Sequence, residues 1–248
     1  MAPGVESVIQ FCGRDQNEPE LLEEMKRAMA AGHLNFLLLT GDWLPGVERG
    51  VDQKTWSPMD SLQMIHAVNQ KLAHYQQHLG IVPYIGCASN LFSTPMEINV
   101  RRPHTKRLAG AKSSQTQAIT NVDNYARWYA ALREGRENEP CLTILFIPLV
   151  ESRRAFEVLC RLPGVYIDPS LHAVMEEDFR PLSLEWVLEI AEGVTKHGSA
   201  GVHAMHFDMS PEFINEFLTQ IRDRGEEARA RSPHIWSSHT RHPPRDRP

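Results

Sequence analysis

The sequence predicts an α/β protein, a parallel sheet with helices packed outside it. Short apolar runs alternate with amphipathic stretches of helical period, six times along the 248-residue chain. The run Asn35-Phe36-Leu37-Leu38-Leu39-Thr40 is apolar almost without a break, as in a strand buried on both faces of a parallel sheet. It ends in Gly41-Asp42. Gly41 permits a tight turn or close approach to a ligand, and Asp42 is delivered to the carboxyl end of the strand, where such sheets carry their ligands. A closed (β/α)8 barrel has eight such units in ~250 residues. Six units suit either an open doubly wound sheet or a barrel short of two, and periodicity does not choose between them.

The elements follow in order. Ser7–Cys12 reads as a strand and Gly13–Asn17 as a polar loop. Leu21, Leu22, Met25, Ala28 and Met29 recur at helical spacing up to Gly32, a helix-closing glycine. Phe36–Thr40 is the second strand, and a loop rich in Gly, Pro and charge runs from Trp43 to Pro58. Leu62, Ile65, Val68, Leu72, Tyr75 and Leu79 mark a long amphipathic helix stopped by Gly80. Ile81–Cys87 is the third strand, with Pro83 near its start. A loop to Pro95 precedes a helix over Glu97–Leu108. Ser113–Ala118 is assigned as a strand from its position rather than its composition.

Asn121 can cap a helix that buries Tyr125, Trp128 and Leu132. Leu142–Ile147 is a strong strand ended by Pro148, and the next helix turns Phe156, Leu159 and Leu162 inward before Pro163-Gly164. Ser183 is placed as the cap of a helix with Leu184, Val187, Leu188, Ala191 and Val194 inside. Gly201–Phe207 is the last strand. Ser210-Pro211 opens a helix that buries Phe213, Ile214, Phe217 and Leu218. From Gly225 the pattern stops. Arg229, Arg231, Arg241, Arg245 and Arg247 stand among Pro, Ser and His, which predicts a disordered tail over 225–248 behind one domain over 1–224.

Composition narrows the function. A net charge of -5 supplies no basic field, so nucleic acid is not an expected partner. No apolar stretch approaches the ~20 residues that span a bilayer. The first residues show neither a basic nor an apolar leader, and Cys12, Cys87, Cys141 and Cys160 are scattered like free thiols, so a cytoplasmic protein is expected. In a parallel sheet the strand ends bring Arg14, Asp15, Gly41, Asp42, Ser89, Asn90, Gln117, Glu151, His206 and Asp208 to one rim. The local signatures of Rossmann, P-loop and α/β-hydrolase sites are absent. His203 and His206, three apart on a strand, fall on opposite faces, so no shared metal is expected. His66, His74 and His78 read as surface residues, and Tyr125 and Trp128 as core.

Several segments, in the same order along the chain, resemble the methylenetetrahydrofolate reductases. Phe36-Leu37-Leu38-Leu39-Thr40-Gly41-Asp42 is similar to their strand-to-Gly-Asp segment. Gly13-Arg14-Asp15-Gln16-Asn17 resembles the Arg-Asp-x-Asn loop of the shorter members, and Asp60-Ser61-Leu62 their helix start. Ile85-Gly86-Cys87-Ala88-Ser89-Asn90 resembles their Ile-Gly-Ala-Ala segment. Lys106, Gly110-Ala111 and Thr116-Gln117 follow their Lys…Ala-Gly-Ala…Thr-Gln signature, and Pro163-Gly164-Val165-Tyr166-Ile167 their Pro-Gly-Val-x-Ile-Pro segment. Together these span roughly Val8 to Leu218.

The resemblance implies a (β/α)8 TIM barrel, here incomplete, that binds FAD at the carboxyl face of its strands. It implies reduction of 5,10-methylenetetrahydrofolate to 5-methyltetrahydrofolate by NAD(P)H through the flavin, in one-carbon and methionine metabolism. Asp42 matches the family's aspartate beside flavin and folate, where a carboxylate stabilises the cationic iminium form of the substrate. Gln117 matches the glutamine that hydrogen-bonds the pterin. Lys106 falls at a lysine on the FAD phosphates. Gly86, Cys87 and Ala88 match a small-residue strand end against which the flavin packs, next to Gly41 and Asp42.

The chain departs from the family as well. It begins at what resembles the third strand, and the glutamate that protonates the folate has no counterpart by motif. Lys112-Ser113 and Ala118-Ile119-Thr120 replace family residues, and Asp168 stands where a proline is usual. Two readings follow: a flavin-dependent folate reductase, or a folate- or flavin-binding relative that needs a partner. An open barrel exposes strand edges, so oligomerisation or a partner subunit is expected.

Overall fold

The structure is a computed structural model. It describes residues 6–14, 16–41, 59–73, 80–92, 95–136, 142–150, 152–169, 171, 179–206 and 210–231, with the backbone alone at 142, 179–183, 206 and 225–231. The strands are β1 (Val8–Cys12), β2 (Asn35–Leu39), β3 (Tyr84–Ser89), β4 (Ser113–Ala118), β5 (Leu142–Leu149) and β6 (Gly201–His206). The helices are α1 (Glu18–Ala30), α2 (Ser61–Lys71), α3 (Met96–Leu108), α4 (Val122–Arg133), α5 (Arg153–Arg161), α6 (Phe179–Lys196) and α7 (Pro211–Arg231).

All five strand pairings are parallel, and the strands lie in the order β1-β2-β3-β4-β5-β6. That order settles what periodicity left open. A doubly wound sheet reverses its strand order at a switch point, whereas a barrel adds each strand beside the last. The chain is an incomplete (β/α)8-type barrel: a parallel half-barrel with helices outside and with β1 and β6 as its two edges.

Strand periodicity divides the sheet into two faces. On the outer face, Phe11, Phe36, Leu38, Ile85 and Cys87 share a core with Leu21, Met25 and Met29 of α1 and Met64, Ile65 and Val68 of α2. Further along, Leu145, Ile147 and Leu149 pack against Tyr125 and Trp128 of α4, Val187, Leu188 and Val194 of α6, and Phe213 and Phe217 of α7. The opposite, inner face of β4–β6 carries a third cluster, in which Ala118, Phe146 and Met205 meet Ala155, Phe156 and Leu159 of α5. Helix α5 therefore belongs to an apolar cluster on the inner side of the β4–β6 part of the sheet.

Sequence signals explain most boundaries. Asn17 caps α1 and Asp60 caps α2, each with a reciprocal capping box, and Asn121 accepts from Asn124 N at 2.9 Å to start α4. Other boundaries differ from expectation. Strand β3 begins at Tyr84 and not Ile81, because Pro83 has no N–H for the ladder; Tyr84 N opens it by donating to Leu34 O at 2.7 Å. Strand β5 runs through Pro148 to Leu149. Its last β4 pair is at Phe146, so the proline lies where only β6 is paired.

Ser183 is not the cap of α6, which starts at Phe179 and takes Pro181 into its first turn, where no ladder bond is lost. Leu218 is exposed, one step round α7 from the buried Phe213 and Phe217. Helix α7 also continues to Arg231, into the segment expected as tail; residues 232–248 lie outside the described residues. Helix α2 ends at Lys71, and Tyr75 and Leu79 lie outside the described residues.

Candidate functional site

The carboxyl ends of β1 and β2 are tied into one rigid corner. Gly13 N donates to Leu39 O at 2.8 Å, Arg14 N to Thr40 O at 3.0 Å, and Met59 N to Gly13 O at 3.0 Å. The Thr40 hydroxyl accepts from Ser61 N at 3.0 Å, which fixes the start of α2 against the end of β2. Gly41 has φ +85°, and a Cβ there would stand 2.2 Å from Cys12 Sγ. Only glycine fits, both for its left-handed backbone and for lack of space. Thr40 and Met59 are thus held at one corner. Asp42, Asp15, Glu151 and Asp208, four of the carboxylates expected on the rim, lie outside the described residues.

At the end of β3 the predicted residues separate by face. Gly86 and Ala88 are on the inner face; Cys87 is on the outer one, 1% exposed, with its thiol directed at Ser113 O 3.5 Å away. Only the backbone of Cys87 is available to a ligand on the inner side. A Cβ at Gly86 would lie 3.1 Å from Ser113 Oγ and 3.3 Å from Leu37 Cδ1, so the strip stays flat and close-packed. Lys106 reaches from α3 to this strand end, where Nζ donates to Ala88 O at 2.7 Å. Burial pushes its ammonium below the usual lysine range; Cys87 and Asp60 act the other way, and Arg102 adds to the lowering. Among the described residues no carboxylate lies within ion-pair distance of it.

Beyond β4 the chain from Pro163 to Asp168 is strapped across the rim. Gln117 Nε2 donates to Pro163 O at 2.9 Å, Thr120 Oγ1 to Tyr166 O, and Asn121 Nδ2 to Asp168 Oδ2. The Tyr166 ring lies 5.7 Å from that of Phe92. Gln117 is therefore at the rim with one amide proton engaged, and Asp168 joins the site by holding the cap residue of α4.

Sequence reasoning missed one feature of the inner face. Gln115 Nε2 and His203 Nδ1 are 2.7 Å apart, joining β4 to β6 across β5, and the Phe146 ring centroid is 5.9 Å from the imidazole. Burial lowers the His203 pKa. No signal in one dimension links residues so far apart; only the curvature of the sheet does. Among the described residues no three His, Cys, Asp or Glu side chains converge as a metal site.

The model of the family "Methylenetetrahydrofolate reductase" matches residues 2–220. The chain belongs to that family. The segments from the Gly13 loop to Pro163-Gly164 thus resemble the methylenetetrahydrofolate reductases because they are theirs. No curated protein matches the chain. Among solved structures, an uncharacterized protein from Clostridium thermocellum that binds two copies of 5-methyl-5,6,7,8-tetrahydrofolic acid is similar in fold. Its TM-score is 0.66 at 13% identity, covering 89% of this chain and 73% of that one. Oxaloacetate acetylhydrolase in complex with the product oxalate is more distant, with TM-score 0.48, 14% identity, and 90% and 62% of the two chains covered. Among the described residues no helix is long and apolar enough to cross a membrane.

Proposed function

We propose that this methylenetetrahydrofolate reductase relative binds a reduced folate at the carboxyl mouth of its half-barrel and reduces 5,10-methylenetetrahydrofolate to 5-methyltetrahydrofolate. FAD is the proposed cofactor, NAD(P)H the reductant, and the cytoplasm the proposed location. The observation that carries the reading is the family match over 2–220. The folate bound by the Clostridium thermocellum protein of similar fold supports the substrate class.

The residues present fit a flavin dinucleotide. Lys106 is a half-buried cation without a carboxylate partner among the described residues, as a phosphate site requires. Gly86 and Ala88 beside it put no long side chain on the inner face at the end of β3. Lys106 would hold the phosphates, and these two residues would lie against the ring system; bound flavin would supply the hydride.

For the substrate, a proton goes to N10, the methylene–N10 bond breaks, and the resulting N5 iminium accepts hydride at its carbon to become N-methyl. Asp42 is proposed to stabilise that cation, and Gln117 to orient the pterin with its remaining amide proton. The edges at β1 and β6, where Val8 is 58% exposed, favour a second copy or a partner subunit along them. A monodisperse monomer in analytical sedimentation would count against that.

The alternative is a folate- or flavin-binding subunit without reduction, favoured by the apolar cluster that α5 forms with the inner face of β4–β6. The visible spectrum of the purified protein, before and after NADH under anaerobic conditions, separates the two. Bound flavin that bleaches supports the reductase. Flavin that binds without bleaching favours the binding subunit, and a colourless protein that FAD does not reconstitute rejects both flavin readings.

A further inference from the structure

We propose that His203 donates a hydrogen bond from Nε2 to an acceptor atom of the folate ring system bound within the half-barrel, with Gln115 as the positioning residue that fixes its tautomer. The inference rests on the folate reading above and adds to it a contact made by β6, the edge strand.

The geometry is as follows. The amide nitrogen of Gln115 can only donate, so Nδ1 of His203, 2.7 Å away, is the acceptor. A neutral imidazole then carries its one proton on Nε2. Burial, the only cause acting on this group, disfavours the charged form and keeps the ring neutral near pH 7. The Phe146 ring on the neighbouring strand restricts the other side of the imidazole.

Nε2 itself has no protein partner among the described residues, and it is not among the sealed polar atoms that lack one. Among the described residues, the space at Nε2 is therefore open. Register places that space on the ligand side of the sheet. His203 pairs with Phe146, and Gln115 pairs with both Ile144 and Ala88, so His203, Gln115 and Ala88 share the inner face. A neutral N–H donor held at both sides suits a carbonyl oxygen or an unprotonated ring nitrogen and offers nothing to a ligand N–H. A pterin presents such acceptors beside its own N–H groups, so the contact would select one orientation of the ring.

The test joins a tautomer readout with binding. Nitrogen-15 NMR of the histidine rings should show His203 protonated on Nε2 at pH 7, and Gln115→Leu should abolish that single tautomer. Titration calorimetry with 5-methyltetrahydrofolate should show His203→Phe weakening binding by about tenfold, the loss of one neutral hydrogen bond. His203→Gln, which keeps an N–H near the Nε2 position, should recover most of it, with thermal melts confirming that each variant is folded. An Nδ1-protonated ring, or a folded His203→Phe that binds as the wild type does, overturns this inference alone. A wild-type chain that binds no 5-methyltetrahydrofolate overturns the folate reading and this inference with it.

Discussion

Replacing Gly41 by alanine tests whether the corner at the ends of β1 and β2 is as tight as its geometry requires. Two costs add. An L-residue at φ +85° carries roughly 1–2 kcal/mol of backbone strain. The new methyl would also stand 2.2 Å from Cys12 Sγ, and relieving such overpacking costs about 1–3 kcal/mol. The sum, roughly 2–5 kcal/mol, corresponds to a fall in Tm of about 4–20 °C for a domain of this size. The costs can be separated in a Cys12→Ala background, where the sulfur is gone and the backbone strain remains with one tight contact, Arg14 Cβ at 3.2 Å. Urea unfolding of the wild type, both single variants and the double variant should therefore give a coupling of about 1–3 kcal/mol between the positions. A Gly41→Ala variant as stable as the wild type, or one equally costly in both backgrounds, would refute the reasoning. Because Gly41 leads directly into Asp42, the variant should also lose flavin more readily on gel filtration.

Two further outcomes are expected. Lys106→Met removes a half-buried ammonium whose desolvation cost is only partly offset by its bond to Ala88 O, so Tm should stay level or rise while FAD affinity, read by flavin fluorescence, drops at least about tenfold; a parallel loss of both would mean a structural lysine. Burial depresses the His203 pKa from 6.5, so below that value the unfolded chain binds more protons than the folded one. Stability should therefore decline as pH falls from 6.5 through the folded pKa and level off beneath it, and His203→Gln should remove that part of the slope in urea midpoints taken between about pH 7.5 and 5.

The parts of the fold visible in the sequence are those where burial is paid in apolar side chains. Strand β2 shows itself because Phe36, Leu37 and Leu38 are buried on both faces. Strand β4, Ser-Ser-Gln-Thr-Gln-Ala, has no such pattern and was found only by its place between helices. The structure shows how so polar a strand is tolerated inside. Ser114 bonds Ser89, the Thr116 hydroxyl accepts from Phe146 N at 3.2 Å, and on β5 Thr143 meets the Tyr125 hydroxyl at 3.2 Å. Buried hydroxyls that satisfy one another cost little, but their partners lie on other strands and leave no local trace. Helix α5 has the same limitation. Its period correctly marks Phe156 and Leu159 as buried, yet a period states that one side is covered and never which layer covers it. For the candidate site, Lys106, Gly86, Ala88 and Gln117 were singled out only through the resemblance of their segments to the family's; the outward direction of Cys87 follows only from strand register, and the Gln115–His203 bond only from the curvature of the sheet.

These placements make the inner face unequal along the sheet. On β5 and β6, Phe146 and Met205 share an apolar cluster with α5. Over β1–β3 the same face carries Gln10, Cys12, Leu37, Gly86 and Ala88, with Tyr84 38% exposed and no helix of the described chain upon it. Lys106 at the end of β3 and the corner at Gly41 stand along the rim of that half, while the strap on Gln117 and the Gln115–His203 pair belong to β4–β6. Among the described residues, the part of the inner face without a helix is next to the exposed edge of β1, so a ligand, and whatever packs along that edge, would border the same surface. Folate or flavin binding and the closing of the half-barrel are then expected to strengthen each other, because each removes water from the apolar face that the other borders.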